Sequence, residues 1–303
     1  MTGGAGFIGR WVVAHLLEDG WEVAVLDDLS SGSEANLAGL DDGRIRFVQG
    51  SIDDPRSLDR VFEGGAEICL HLAARINVQT SIDDPVGTFG PDVDGTLETL
   101  ERARNAGAAF LFMSSCMVFA RSDHSGISET HPVRPASPYA ASKLAGEYLT
   151  LSYGLAYGHP VSVVRPFNTY GPFQRTDGEG GVVAIFCKRA LAGEPIDVFG
   201  DGTQTRDLLY VEDCAEFVVR AALADAARGE LLNAGTGRDV TINELAAVIG
   251  GGRVPVRHTP HPHPQAEIAR LLCDPRKAQQ LLGWRPSTAL EEGIRRTSDW
   301  IGP

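Results

Sequence analysis

Apolar residues recur at helical spacing from Phe7 to Leu17, directly after a cluster of glycines, so the pattern predicts a helix opened by a glycine turn. Beyond it, short apolar runs alternate with helix-period segments. WEVAVLD (Trp21 to Asp27), RIRFVQ, EICLHLAA, AAFLFMSS (Ala108 to Ser115) and VSVVRP read as buried strands. GTLETLERARNAG and the stretch from Ser137 to about Tyr153 read as helices. This alternation predicts an α/β fold, a doubly wound parallel sheet covered by helices. The second half is less regular. GGVVAIFCKRALAGE reads as a helix, IDVFGDG as a short strand and turn, and LYVEDCAEFVVRAALADA as a long helix. TPHPHPQ (Thr259 to Gln265) reads as a proline-punctuated loop, followed by closing helices through PRKAQQLLG and ALEEGIRRTSDW.

The opening glycines, Gly3, Gly6 and Gly9, form a GxxGxxG turn. Glycine is required where backbone must approach a pyrophosphate, and the helix N-terminus then faces the phosphate charge. Asp27 ends the next predicted strand at the distance where an acid accepts from a ribose 2′-hydroxyl. No Arg or Lys lies between Asp27 and Asn36 to pair a 2′-phosphate, which favours NAD over NADP. A strand normally precedes such a turn, and here only Met1 and Thr2 do. Because that strand is central in this topology, the expectation is that the native protein starts several residues earlier.

Composition adds exclusions. The 303 residues carry a net charge of −13 with acids spread along the chain, which argues against nucleic acid as partner. No apolar run is long enough to span a membrane and no signal segment opens the chain, so a cytoplasmic protein is expected. The five cysteines are scattered, without a CxxC pair, and read as reduced thiols.

Candidate chemistry lies in SPYAASK, which places Tyr139 and Lys143 at i and i+4 on one helix face. A lysine one turn away favours the phenolate and fits the tyrosine as a general base. Ser115 closes an apolar strand in FMSSCMVF, where its hydroxyl can bond the substrate oxygen that Tyr139 deprotonates.

TGGAGFIG, HLAA, MSS, SPYAASK, RPFNTYGP, GDGTQTRDLLYVED, NAGTG and LGWRP follow one another across nearly the whole chain. Together they resemble the extended short-chain dehydrogenase/reductase family, in particular its NAD-dependent nucleotide-sugar epimerases and dehydratases. The resemblance implies a Rossmann-type sheet domain over 1–166, with 209–235 crossing back to it. It also implies a smaller mixed α/β lobe, over 167–208 and 236–303, that binds a nucleotide diphosphate sugar. Ser115, Tyr139 and Lys143 become the catalytic triad. Cofactor contacts fall on Gly3, Gly6, Phe7, Ile8 and Gly9, on Asp27 and Asp28, and on Ser51 and Ile52. Leu72, Ala73, Ala74, Asp92 and Pro166 join them, with Tyr139 and Lys143. Asn168 and Arg206 match positions that hold the substrate's phosphates. The implied reaction starts with proton transfer from the sugar C4 hydroxyl to Tyr139 and hydride transfer to NAD, giving a 4-keto sugar.

Several positions depart from the family pattern. Dehydratases usually carry Asp-Glu after the triad hydroxyl, and this chain has Cys116 and Met117, which favours a 4-epimerase. A dehydratase using Cys116 as acid is the enzymatic alternative, and an NAD-binding sensor or scaffold the non-enzymatic one. The intact triad weighs against the sensor. Ser51 replaces an acid that reads adenine, Asp92 replaces an Asn near the cofactor, and VFA replaces VYG. Pro264 stands three residues before Glu267, where an Arg often clamps phosphate, leaving Arg270 or His263 as substitutes. The nucleotide stays open among UDP, dTDP, GDP and ADP. His258, His261 and His263 lie close together, but the prolines between them enforce no tetrahedral geometry, so no metal is expected. His71 reads as a satisfied strand-end histidine and Asp213 as a helix N-terminal acid. The long helices are expected to pair in a homodimer through Leu144, Tyr148 and Leu151.

Overall fold

The computed structural model describes residues 1–40, 43–122, 126–177, 181–261 and 268–302. Its first half runs α1 (Phe7–Glu18), β1 (Val23–Asp27), β2 (Ile45–Gln49), α2 (Pro55–Phe62), β3 (Ile68–His71), α3 (Val78–Asp83) and α4 (Pro85–Ala106). It continues through β4 (Ala109–Met113), α5 (Pro138–Tyr157) and β5 (Val161–Pro166). The second half holds β6 (Asn168–Tyr170), α6 (Val182–Leu191), β7 (Ile196–Phe199), β8 (Thr205–Arg206), β9 (Leu208–Tyr210) and α7 (Val211–Leu223). It ends with β10 (Leu231–Ala234), β11 (Val240–Thr241), α8 (Ile242–Gly250), β12 (Val256–Thr259), β13 (Arg270–Leu271), α9 (Arg276–Leu282) and α10 (Leu290–Ile301).

A parallel sheet of order β2-β1-β3-β4-β5-β10 organises the larger lobe, with Met1–Gly3 inserted between β1 and β3. Thr2 bridges Leu26 on one side and His71 on the other. The Thr2 amide donates to the Leu70 carbonyl (3.0 Å) and the Gly3 amide to the Leu26 carbonyl (2.8 Å). In return, Leu26 donates to Met1 (2.9 Å) and Leu72 to Thr2 (3.2 Å). Three residues thus join the two strand edges at the level of the glycine turn.

Two apolar layers sandwich this sheet. On one face Val12, Leu16, Val25, Leu111, Val164, Phe217 and Trp284 pack together. On the other Cys69, Leu100, Phe110, Phe112 and Val161 do so. Each fully buried side chain of this size contributes about 1.5–3 kcal/mol. Helix α7 belongs to the first layer because Cys214, Phe217, Val218 and Ala221 are buried at i, i+3, i+4, i+7 spacing. Second-half chain therefore returns to the sheet through α7 on α1 and β10 on β5. The smaller lobe has its own core around Phe186, Ile196, Val198, Tyr210, Leu245 and Ile294.

Some elements differ from the pattern's prediction. The helix expected from Leu209 starts at Val211, because Leu208–Tyr210 pairs in parallel with Asn168–Tyr170. Helix α4 begins at Pro85, far upstream of the periodic stretch, with Asp84 capping it by accepting from the Gly87 amide (2.9 Å). Leu144 and Leu151 are half-buried against neighbouring clusters, while Tyr148 is exposed. Asp213 is buried and does more than face a helix dipole, since it accepts from the Ser287 and Thr288 amides (2.9 and 3.0 Å), fastening α7 to the segment before α10.

Phe173 sits between the lobes with a left-handed backbone, φ +70°. The Arg10 guanidinium lies 3.9 Å from its ring centroid, and Trp11 and Trp300 pack against it at 6.0 and 5.2 Å. Trp11 also donates to the Pro172 carbonyl (3.3 Å). The first turns of α1 are thereby tied to the far end of α10.

Candidate active site

A cavity of about 800 Å³ opens at the carboxyl ends of the parallel strands and runs into the smaller lobe. Open α/β sheets bind their ligands at this place.

At one end lies the glycine turn. Gly3 has φ +71°, and a Cβ there would stand 2.7 Å from the Ala73 amide nitrogen, so no other residue fits. Gly6 caps α1 without any side chain bonding the first-turn amides, leaving them available to an anion. Asp27 closes β1 beside them, accepting from the Ala5 and Leu29 amides (2.9 Å each). Burial raises the pKa of this carboxyl, with the two amides opposing. Phe7, Ile8, Gly9, Asp28, Ser51, Ile52, Leu72, Ala73, Ala74 and Pro166 also line this arm. A close-approach turn, uncapped helical amides and a strand-end carboxylate together fit a dinucleotide.

Beneath the turn runs a buried polar chain. Thr2 Oγ1 is 2.8 Å from His71 Nδ1, and Thr96 Oγ1 is 3.0 Å from His71 Nε2. Thr96 donates its one hydroxyl proton to the Asp92 carbonyl, so His71 must donate from Nε2 and accept Thr2's proton at Nδ1. Burial holds the ring neutral, with its pKa pushed down to about 3. His71 is thus satisfied on both nitrogens.

The candidate triad occupies the middle of the cavity. Ser137 caps α5 by accepting from the Ala140 amide (3.2 Å), with Pro138 in the first turn, which places Tyr139 and Lys143 on successive turns. Gly146 brings α5 against the Phe112 ring. Lys143 Nζ donates to the Met113 carbonyl (2.9 Å) and lies 5.2 Å from the Phe112 ring centroid. Burial lowers its pKa, opposed by Asp92 and Glu147. Burial raises the Tyr139 pKa well above the usual phenol value, while a hydrogen bond from Ser115 pulls it down. Ser115 Oγ also accepts from the Met117 amide (3.2 Å), fixing the turn after β4. Cys116 lines the cavity, and burial pushes its thiol up to about 12, keeping it protonated.

Asn168 and Arg206 line the second arm, where Arg206 Nη1 donates to the carbonyls of Thr205 (2.8 Å) and Ile268 (2.9 Å). Arg270 is not brought to the cavity. Its strand pairs with β8, and its guanidinium rests on Asp239, with Nε 2.8 Å from Oδ2. Its expected part as a phosphate clamp therefore has no support in its position. Pro264, His263 and Glu267 lie outside the described residues. His258 bonds the Gly200 carbonyl (3.0 Å) and His261 meets the Phe199 ring edge-on at 5.9 Å.

Cavity residues that the pattern did not single out include Arg75, Arg189, Asp197 and Phe199. Asp197 is held by Arg189 and by Arg257 (2.6 Å), and Arg75 pairs with Asp28 at 3.2 Å. Strand alternation in IDVFGDG puts Asp197 and Phe199 on one face, a signal that was available. Arg75 gave none, being distant in sequence from the acid it meets.

The crystal structure of Pal from Bacillus thuringiensis is 51% identical, with a TM-score of 0.96 over 99% of this chain and 97% of that one. A UDP-glucose 4-epimerase of Mycolicibacterium smegmatis is 40% identical, covering 99% of this chain and 97% of its own. DesIV, a dTDP-glucose 4,6-dehydratase of Streptomyces venezuelae solved with NAD and TYD bound, is 32% identical, with a TM-score of 0.91 over 99% of this chain and 95% of that one. Residues 1–235 match the model of the NAD dependent epimerase/dehydratase family. With a dinucleotide turn, a Ser-Tyr-Lys cluster and a second arm into the smaller lobe, the chain belongs to that family, whose members here are NAD-dependent nucleotide-sugar epimerases and dehydratases.

Proposed function

We propose that this protein is an NAD-dependent nucleotide-diphosphate-sugar 4-epimerase. The observation that carries the reading is the wall around Tyr139. Ser115, Tyr139 and Lys143 meet there, and the two positions after Ser115 hold a thiol and a thioether instead of two carboxylates. NAD, held by the glycine turn and Asp27, would supply the acceptor for hydride from the sugar C4 and the donor for its return to the opposite face. Tyr139 takes the C4 hydroxyl proton and gives it back, Ser115 orients that oxygen, and Lys143 stabilises the phenolate against the cost of burial. Asn168 and Arg206 hold the diphosphate, while the sugar turns over between the two hydride transfers.

A 4,6-elimination needs a further base at C5 and an acid for the departing C6 hydroxyl. Cys116 favours one part of a second reading, in which it is that acid, because its thiol is protonated and in the cavity wall. Met117 cannot act as the base.

Incubation with UDP-, dTDP-, GDP- and ADP-hexoses, without added cofactor, tests the proposal. A product of unchanged mass and shifted chromatographic retention is expected, and it names the nucleotide. A product lighter by one water, abolished in Cys116→Ser, establishes the dehydratase instead. We place the assembly as a homodimer through α4 and α5, whose exposed faces carry Val86, Phe89, Tyr148 and Leu155. Five buried free thiols suit the reducing cytoplasm.

A further inference from the structure

Two loops flank the glycine turn. One follows β1 and begins with Asp28, and the other follows β3 and holds Arg75. Met1–Gly3 lies between those strands, so β1 and β3 stand two strand spacings apart, roughly 10 Å. The two side chains close that gap. Arg75 Nη2 is 3.2 Å from Asp28 Oδ2, and both residues line the dinucleotide arm of the cavity. The ion pair therefore spans the arm from one side of the glycine turn to the other.

Each partner is anchored on its own side. Asp28 Oδ1 accepts from the Ser30 amide (2.9 Å) and the Ser30 hydroxyl (2.5 Å), which turns Oδ2 to the guanidinium. The Arg75 amide donates to Asp92 Oδ1 (2.7 Å). Asp92 is itself buried on α4 and lines the cavity, and its Oδ2 accepts from the Ser142 hydroxyl of α5 (2.9 Å). The loop that carries Arg75 is thus pinned to both helices behind it. Side chains 41% and 30% exposed gain little from charge alone, because water screens them. Anchoring lowers the entropy lost on pairing. Position matters more than strength here, since a link across a groove has to open before a ligand beneath it can leave. Retention also suits the chemistry. Hydride taken from a sugar and returned to it passes through one cofactor molecule, and a cofactor that leaves midway ends the cycle.

We propose that Arg75 and Asp28 form a strap across the dinucleotide arm that slows the release of bound NAD. This rests on NAD binding and not on the 4-epimerase reading, since a dehydratase would use the strap in the same way. The test measures NAD release from the NAD-loaded protein. With ethanol and alcohol dehydrogenase in excess, each released NAD is reduced, and NADH absorbance follows the rate without any sugar nucleotide. Asp28→Asn and Arg75→Gln each remove one charge of the pair, and each should speed release about three- to five-fold. The double variant should release NAD no faster than the faster single one, because either substitution already opens the strap. Rates that multiply in the double variant make the two residues independent contacts and overturn the proposal. Release unchanged or slowed in either single variant overturns it as well. If the sugar panel yields no product, the expected release rates still leave the strap standing. An active epimerase with unchanged release sinks this proposal alone.

Discussion

His71 shows how much a single side chain is asked to do beneath the cofactor turn. Its ring joins Thr2 to Thr96 only as a neutral donor-acceptor, and burial pushes its pKa down from 6.5 to about 3. Above the unfolded value the ring is neutral in both states and stability is fully present. As pH falls from about 6.5 toward 3, the unfolded chain takes up a proton that the folded one refuses, and stability is lost. His71→Gln removes this term, so the wild type should lose several kcal/mol more than the variant across that window. Urea unfolding at stepped pH checks this, and parallel losses in the two proteins would refute it. The histidine's satisfied state was legible in HLAA. Its place in a chain reaching Asp92 was not, because that depends on residues far apart in sequence.

Among the elements, α5 carries the most. Its buried face holds Tyr139, Lys143 and Glu147 at i, i+4 and i+8, and Glu147 pairs with Arg165 of β5 inside the protein, both at most 4% exposed. Removing one partner strands the other charge. Glu147→Ala should cost roughly 3–5 kcal/mol by chemical denaturation, and Glu147→Leu combined with Arg165→Met should recover most of it. A double variant as unstable as the single one would place the loss in packing instead. The strands and helices of the sheet were legible because their apolar periods are clean. Others were masked by local chemistry. Pro85 and Pro91 hid the start of α4, and the helix α8 went unmarked although Thr241 and Glu244 form a capping box there. Motif spacing marked the candidate positions Gly3, Asp27, Ser115, Tyr139 and Lys143, and all of them line the cavity. The pairing of Arg270 with Asp239 was not legible, because nothing in its sequence neighbourhood points to that acid.

For the whole molecule, the proposed dimer face lies on α4 and α5, where Val86 is 81% and Leu155 91% exposed. Light scattering should give twice the monomer mass for the wild type, and Tyr148→Lys with Leu155→Glu should halve it; a monomeric wild type would refute the dimer. The two lobes meet elsewhere, where Phe173 is gripped by Arg10 and Trp11 of the dinucleotide helix and by Trp300 near the C-terminus. Those two indoles share one phenyl ring. The protein consequently carries a built-in optical gauge. Stripping the cofactor should be visible as a change in the emission of Trp11 and Trp300, isolated from that of Trp21 and Trp284 as the difference from the Trp11→Phe and Trp300→Phe proteins.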